Sequence, residues 1–363
     1  MKIVEIILDL SNRAGAEIFF EALCFELSKK DDVELTIISL WDSIHPSFEA
    51  IREFKNVRFY TLGKKKGVDF KAAKKLKRII NEIDPDIIHT HRSILLTYFL
   101  AFGLKRCNWK IVHTIHNIPS KESNGITNLL RKMYIKRKAI YFVGISDIIT
   151  HLFSERFPMA DIVTIFNGIN LRRPQIRNSK KYTFINVARF SEQKNHKLLF
   201  DSFEEIARED KSISLVCLGT GELFEFYSDY VSKLDTQNRI TLVGSVDDVY
   251  PFLCESCCFV LSSIYEGNPI SVLEAMECGL PVIAPTVGGI PDVIKDGQNG
   301  LLYGVNDGKR LVSCMKKIIY MNDLYKKISN RNKIDVEHFS IEHCSEEYLK
   351  LFLSIINRTE EKK

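Results

Sequence analysis

The chain has 363 residues, 45% of them hydrophobic and 27% charged, an ordinary globular composition whose length suits two domains and excludes a single small binding module. Its longest apolar stretch, Ile94 to Leu104, is far short of the ~20 residues that span a bilayer, and no signal-like segment follows Met1, so a soluble, cytoplasmic protein is expected. Nine cysteines without framework spacing point to a reducing compartment; the net charge of +5 is uneven, with 28 basic against 19 acidic residues in 1–176 and 23 against 27 afterwards, and no nucleic-acid reader motif accompanies the basic excess.

In chain order, short β-branched runs alternate with longer amphipathic stretches, the pattern of βαβ units and a mainly parallel sheet. Strands are predicted at 3–10, 33–40, 86–91, 110–116, 139–146 and 162–166, then at 182–188, 213–219, 240–244, 257–263, 280–285 and 300–304. Two basic runs, Lys64–Arg78 and Arg131–Lys138, have helical spacing and are expected as solvated helix faces with a possible attraction to anionic lipid. The polar segment Asn167–Lys181 lacks either period and separates the two sets of strands. The expected organisation is therefore an α/β chain of two doubly wound, Rossmann-like domains: residues 1–170, a linker at 171–181, residues 182–340, and a helical segment 341–363 able to cross back to the N-terminal domain. Domains of this kind would face a cleft, with ligands beyond the carboxyl ends of the strands.

Several patterns are weighed and set aside. Cys254, Cys257 and Cys258 have CxxC spacing but no second pair to complete a zinc site. His89 and His91 share a strand face and could chelate, whereas His113 and His116 cannot share one. Asp84-Pro85-Asp86 precedes its strand, the wrong end for an active site, and reads as a turn. No metal is expected.

The most informative segment is Ser262–Gly279, SSIYEGNPISVLEAMECG. A strand ends near Ser263, and Asn268 as N-cap with Pro269 at the first helical position opens a helix. The N–H groups of Ile270 and Ser271 then mark an anion site, flanked by Glu266 and Glu274 eight positions apart. Together with Ala14-Gly15-Ala16-Glu17, HTIH ending at His116, VGISD, TIFNGIN, VARFSEQKNH, LGTGEL, LVGSVDDV and VGGIPDVIKDGQNGLL, all in order, this segment resembles the Glu-x7-Glu motif of the retaining family 4 glycosyltransferases, which have the GT-B fold.

The resemblance implies roles. Arg189 and Lys194 would contact the donor diphosphate, where a metal-independent enzyme must supply fixed cations. Glu274 would accept from ribose hydroxyls and Glu266 from those of the transferred sugar, with backbone groups after Asn268 on phosphate. Gly15 would let backbone N–H groups approach the diphosphate, although the family's usual preceding glycine is Ala14 here. His116 would stand near the reacting sugar, while Gly219, Gly221, Ser245 and Val246 would line the nucleotide pocket. The implied activity is transfer of a sugar, with retained configuration, from a nucleotide diphosphate donor, UDP ahead of GDP, to a hydroxyl of a glycan acceptor carried on a polyprenyl diphosphate. No other cofactor is expected, and the basic N-terminal domain would dock peripherally on an anionic membrane. A nucleotide-sugar epimerase and an inactive GT-B partner subunit are the alternatives.

Overall fold

A computed structural model of the chain describes residues 1–11, 14–65, 67, 69–91, 109–117, 125–138, 140–174 and 182–360. The apolar stretch Ile94–Leu104, most of the polar linker (175–181) and Lys66 lie outside the described residues. The chain forms two compact units, Met1–Asn170 with Ser340–Lys363, and Leu171–Phe339.

Unit 1 is built on a seven-stranded sheet of order β3-β2-β1-β4-β5-β6-β7, every neighbour pair parallel. The strands are β1 Lys2–Ile7, β2 Glu34–Ser39, β3 Val57–Thr61, β4 Ile87–His91, β5 Lys110–Ile115, β6 Ile140–Gly144 and β7 Asp161–Thr164. β3 is one strand more than the periodicity predicts. It is an edge strand of half-exposed residues (VRFYT), so its sequence lacks the continuous apolar run of a strand buried on both faces. The main helices among the described residues are α1 Gly15–Ser28, α2 Phe70–Ile83, α3 Gly125–Lys136 and α4 Asp147–Arg156, with the C-terminal helix Ile341–Glu360 returning to pack beside α1. Local chemistry sets their ends. Asp69 accepts from the N–H groups of Lys71 and Ala72 at the start of α2, and Asp84 in the left-handed region (φ 48°) stops it. Asp84-Pro85-Asp86 is the turn into β4, where Lys2 N–H donates to the Asp86 carboxylate at 2.7 Å. Val4, Ile6, Ile38, Ile88, Ile111 and Phe142 belong to the core that holds sheet and helices together.

Unit 2 repeats the design with six parallel strands in the order β10-β9-β8-β11-β12-β13. They are β8 Tyr182–Val187, β9 Ile213–Leu218, β10 Ile240–Gly244, β11 Cys258–Val260, β12 Val282–Pro285 and β13 Gly300–Tyr303. The main helices are α5 His196–Glu209, α6 Phe224–Ser232, α7 Ile270–Glu277, α8 Gly308–Tyr320 and α9 Asn322–Asp335. Phe184, Phe200, Phe203, Leu215, Val260 and Met315 are among its fully buried core. In both units the first strand sits mid-sheet and the chain reverses direction across the sheet between its first and fourth strands. Loops leaving those two strands diverge and open a crevice at their carboxyl ends, the position where doubly wound sheets bind ligands. Cys254 and Cys257–Cys258 are free thiols of this unit, with Cys254 Sγ lying 3.9 Å from that of Cys278.

Candidate nucleotide-sugar site

In unit 2 the loops leaving β8 and β11, neighbours at the switch point, are tied together. Ser262 Oγ donates to the Lys194 carbonyl at 2.8 Å, Ile264 N–H to the Gln193 carbonyl at 2.8 Å, and Gln193 Nε2 to the Tyr265 carbonyl at 2.9 Å. Across this seam Lys194 Nζ donates to Glu266 Oε1 at 2.5 Å, with the two side chains only 18% and 6% exposed. The structure thus joins two residues that stand 72 positions apart in sequence into one ion pair. Arg189, in the same β8 loop, is exposed and has no acidic partner among the described residues, so its charge is available to an anion.

Two glycines permit the close approach of these loops. A Cβ on Gly288 (φ 49°) would stand 1.7 Å from the Glu266 carbonyl oxygen, and one on Gly219 (φ 129°) 2.1 Å from that of Ala188. The Gly289 N–H donates to the Gly267 carbonyl at 3.0 Å, holding the β12 loop against the Glu266 turn. Gly221, in the same turn as Gly219, faces the Phe190 carbonyl and the Arg189 side chain. Ser245 and the half-buried Val246 follow β10, whose last residue, Gly244, accepts from the Gly219 N–H at 2.7 Å.

The helix after Glu266 begins one residue later than the sequence suggests. Pro269, not Asn268, is the N-cap of α7, with φ −73° and ψ 120° and no side-chain cap, and Ile270 and Ser271 are its first helical residues. The proline ring holds its residue at a φ compatible with either position, but ψ is extended, so the helix starts beyond it. Ile270 and Ser271 keep N–H groups without helical acceptors, as first-turn groups do. Asn268 is buried before them, and Glu274 is half-buried one turn on.

Other residues of this region were not legible as site residues. Phe190, the buried neighbour of Arg189, stacks on the buried His196 ring (centroids 4.0 Å apart, 9° between planes). Burial and the nearby Lys194 push the His196 imidazole down to about 3 and keep it neutral. Glu277 accepts from the backbone N–H groups of Arg172 and Arg173 and from the Tyr250 hydroxyl, so the start of the linker is bound to unit 2.

In unit 1, Gly15 is the first helical residue of α1 rather than part of a free loop; Ala14 is its N-cap, and Gly15 is not among the glycines with positive φ. Its expected place in the loop after β1 is therefore shifted to the first turn of the helix, where its N–H has no helical acceptor. His116 follows β5 directly, half-buried, with its Nε2 2.9 Å from Nδ1 of His91 and its ring edge-on to Phe19. Behind it lies a group of polar side chains in the sheet centre. Glu5 on β1 is fully buried and meets His89 Nδ1 at 2.9 Å and His91 Nε2 at 3.1 Å. His89 Nε2 is 2.7 Å from Thr114 Oγ1, itself 2.9 Å from the hydroxyl of Tyr348 on the C-terminal helix. His113 points to the other face, where its Nδ1 meets Thr90 Oγ1 at 2.8 Å.

Desolvation pushes His89 and His91 down to about 3, so both are neutral. Burial pushes the Glu5 carboxyl up, opposed by its hydrogen bond to His91. Among the described residues, Glu5, His89 and His91 form the one trio whose ligand atoms lie close enough, within 4.8 Å of one another, to hold a metal ion. All of these atoms are engaged in hydrogen bonds to one another. The signal for this cluster was a carboxylate in the middle of an apolar parallel strand, KIVEII, a residue that can be buried only if paired.

The basic runs are less uniformly exposed than their composition suggests. Lys64 is buried and donates to the carbonyls of Lys65 and Gly67, and Arg131 is fully buried with its guanidinium over the Phe153 ring. Lys71, Lys74, Lys75, Lys77 and Arg78 remain exposed on α2, and on α3 Leu129 (63% exposed) and Met133 (42%) stand out beside exposed Lys132 and Lys136. No helix among the described residues is long and apolar enough to cross a membrane.

Comparison with known proteins follows the same division. Residues 13–173 match the model of Glycosyltransferase Family 4, and residues 169–335 that of Glycosyl transferases group 1. The N-acetyl-alpha-D-glucosaminyl L-malate synthase of Bacillus anthracis is 26% identical over 304 residues, covering 79% of this chain and 80% of that protein. The UDP-Gal:alpha-D-GlcNAc-diphosphoundecaprenol alpha-1,3-galactosyltransferase of Escherichia coli is 26% identical over 322 residues, again 79% and 80%. Anabaena Alr3699/HepE, crystallised in complex with UDP, superposes with a TM-score of 0.80 at 18% identity, covering 98% of this chain and 100% of that one. Two adjoining family matches that together run from residue 13 to residue 335, on a shared two-domain Rossmann-like fold, make this chain a member of the family 4 glycosyltransferases of GT-B type.

Proposed function

We propose that the protein is a retaining, metal-independent glycosyltransferase that moves a sugar from a UDP-sugar to a hydroxyl of a lipid-linked glycan. The observation that carries this is the buried Lys194–Glu266 pair at the switch point of unit 2, beside the exposed Arg189 and the first N–H groups of α7. A leaving diphosphate gains negative charge as the sugar bond breaks, and a site without a metal ion must meet it with fixed cations and N–H donors. Arg189, Lys194, Ile270 and Ser271 supply these, and Glu266, held by Lys194, accepts from hydroxyls of the transferred sugar. Glu274 accepts from the ribose, and Gly219 and Val246 border the base. His116 acts at the sugar hydroxyls, and Gly15 begins the helix whose N-terminus favours negative charge. The UDP in the HepE crystals and the diphosphoundecaprenol-linked substrate named for the E. coli relative support the choice of base and acceptor class. The exposed Leu129 and Met133 with their flanking lysines suit a peripheral contact with an anionic membrane, where such an acceptor resides.

The test is calorimetric titration of UDP and GDP, without metal and then with Mg²⁺, into wild type and Arg189→Ala/Lys194→Ala. Metal-independent binding of UDP that is lost in the variant is expected; failure of both nucleotides with folded wild type refutes the donor site. Release of UDP from a UDP-sugar only when acceptor is present separates the transferase from an epimerase, which needs no acceptor, and from an inactive subunit, which releases none.

A further inference from the structure

The carboxylate of Glu277 joins three parts of unit 2 that lie apart in sequence. Glu277 is the last residue of α7, whose first-turn N–H groups are assigned above to the diphosphate, and it stands three positions beyond Glu274, on the same side of the helix. It is buried, and both of its oxygens are engaged by donors. Oε1 accepts from the backbone N–H of Arg172 and, at 2.7 Å, from that of Arg173, where the chain enters the unit. Oε2 accepts from the hydroxyl of Tyr250, which follows the loop assigned to the base, four residues after Val246. The other side of the junction is closed as well. Arg172 holds its guanidinium 4.4 Å from the centre of the Tyr250 ring and 2.9 Å from Asp248 Oδ1, and that same oxygen accepts from the Tyr250 N–H at 3.2 Å. Arg173 is kept at φ 50°, in the left-handed region that a non-glycine residue occupies only where its surroundings fix it.

We propose that Glu277 is a positioning residue for the nucleotide: it locks the base loop, α7 and the first linker residues into one body, so that nucleotide binding and the latch on Arg172 and Arg173 stabilise each other. This rests on the donor site proposed above, to which it adds a support and no new contact. A helix of two turns, about 12 Å long, moves as a unit, so a shift at Glu277 is passed to Glu274 and to the N–H groups of Ile270 and Ser271. The coupling is reciprocal by thermodynamic necessity. If the latched form binds the nucleotide more tightly by some factor, saturating nucleotide must suppress opening of the latch by the same factor. A glutamate that merely stabilises unit 2 carries no such obligation.

The probe is UDP. Its affinity is measured by calorimetry in full-length wild type, Glu277→Leu, Glu277→Gln and Tyr250→Phe, and hydrogen exchange at the Arg172 and Arg173 amides is followed in wild type with and without saturating UDP. Glu277→Leu is expected to bind UDP about tenfold more weakly, and UDP to slow exchange of the two amides in wild type by about the same factor. Glu277→Gln keeps an acceptor for both amides and an N–H for the Tyr250 oxygen, so it is expected to stay within about threefold of wild type. Tyr250→Phe leaves Glu277 on the linker amides but frees the base loop from it. UDP affinity is expected to fall about threefold there, and the slowing by UDP to shrink, which keeps the test open if Glu277→Leu does not fold. Unchanged UDP affinity in both Glu277→Leu and Tyr250→Phe, or equal exchange of the two amides with and without UDP, overturns the proposal. So does an equal slowing at the amides of α8, the mark of general stabilisation by a bound ligand. If wild type binds no UDP, the donor site fails and the latch falls with it; if wild type binds UDP and one of these other results is found, the latch alone is refuted.

Discussion

Removing the charge of Lys194 should loosen unit 2 far more than removing that of its partner. The pair is 2.5 Å apart and its carboxylate is 6% exposed, whereas Lys194 keeps 18% of its side chain in contact with solvent. Lys194→Met leaves Glu266 as a buried, unpaired carboxylate, which for such pairs costs about 3–5 kcal/mol. Solvent contact on the lysine side places this pair near the lower end, about 3 kcal/mol, or on the order of a hundredfold in the opening equilibrium of the Glu266 loop and α7. Glu266→Gln leaves a cation that can turn toward water and should cost only about 1 kcal/mol. The double variant Lys194→Met/Glu266→Gln has no buried charge, so it should resemble Glu266→Gln alone, giving a coupling of about 3 kcal/mol. Native-state hydrogen exchange of the α7 amides is the suitable assay, because Trp41 and Trp109, the two tryptophans, both belong to unit 1 and do not report on unit 2. If the double variant costs the sum of the two single ones, the residues are not coupled as a buried pair. UDP affinity should fall about 10- to 100-fold in Lys194→Met and change little in Glu266→Gln, since only the lysine is assigned to the diphosphate.

Gly288→Ala should destabilise unit 2 by about 3 kcal/mol and impair UDP binding, because its methyl group would collide with the Glu266 backbone; Gly297→Ala, at φ 69° but with open space around it, should cost about 1 kcal/mol and leave binding intact. Equal effects in equilibrium denaturation and calorimetry would show that backbone angle alone matters. His196 is held down to about 3 from its ordinary 6.5, so between these values the unfolded chain binds a proton that the folded one does not. Its contribution is complete above pH 6.5 and declines by roughly 1 kcal/mol per pH unit as the solution is acidified. His196→Phe should flatten the acid-side loss of unit 2 stability followed by exchange, and an unchanged slope would assign that loss elsewhere. Replacing Leu129 and Met133 by serine and Lys132 and Lys136 by glutamate should abolish co-sedimentation with phosphatidylglycerol vesicles; equal binding by wild type to neutral and anionic vesicles would remove the membrane contact.

Much of this protein is legible in the chain alone. Parallel strands buried on both faces require continuous β-branched runs, so KIVEII, ELTIIS, YTFINV and ISLVCL declare themselves, and the alternation with amphipathic helices implies doubly wound units. Local motifs such as Glu266-Gly-Asn-Pro before a helix carry their own geometry, to within the one residue by which Pro269 rather than Asn268 proved to be the cap. The edge strand β3 was hidden because one-sided pairing tolerates polar residues. What only tertiary structure decided is which distant side chains meet. Lys194 and Glu266 are 72 positions apart, Glu5 and His91 86, and Thr114 and Tyr348 234. Periodicity specifies the face a residue occupies on its own element, but strand order and register specify its neighbour, and these follow from packing of the whole sheet. A lone Glu5 in an apolar strand signals that a partner must exist, since burial of an unpaired carboxylate is too costly; the identity of that partner depends on β4 lying beside β1 rather than on any pattern along the chain.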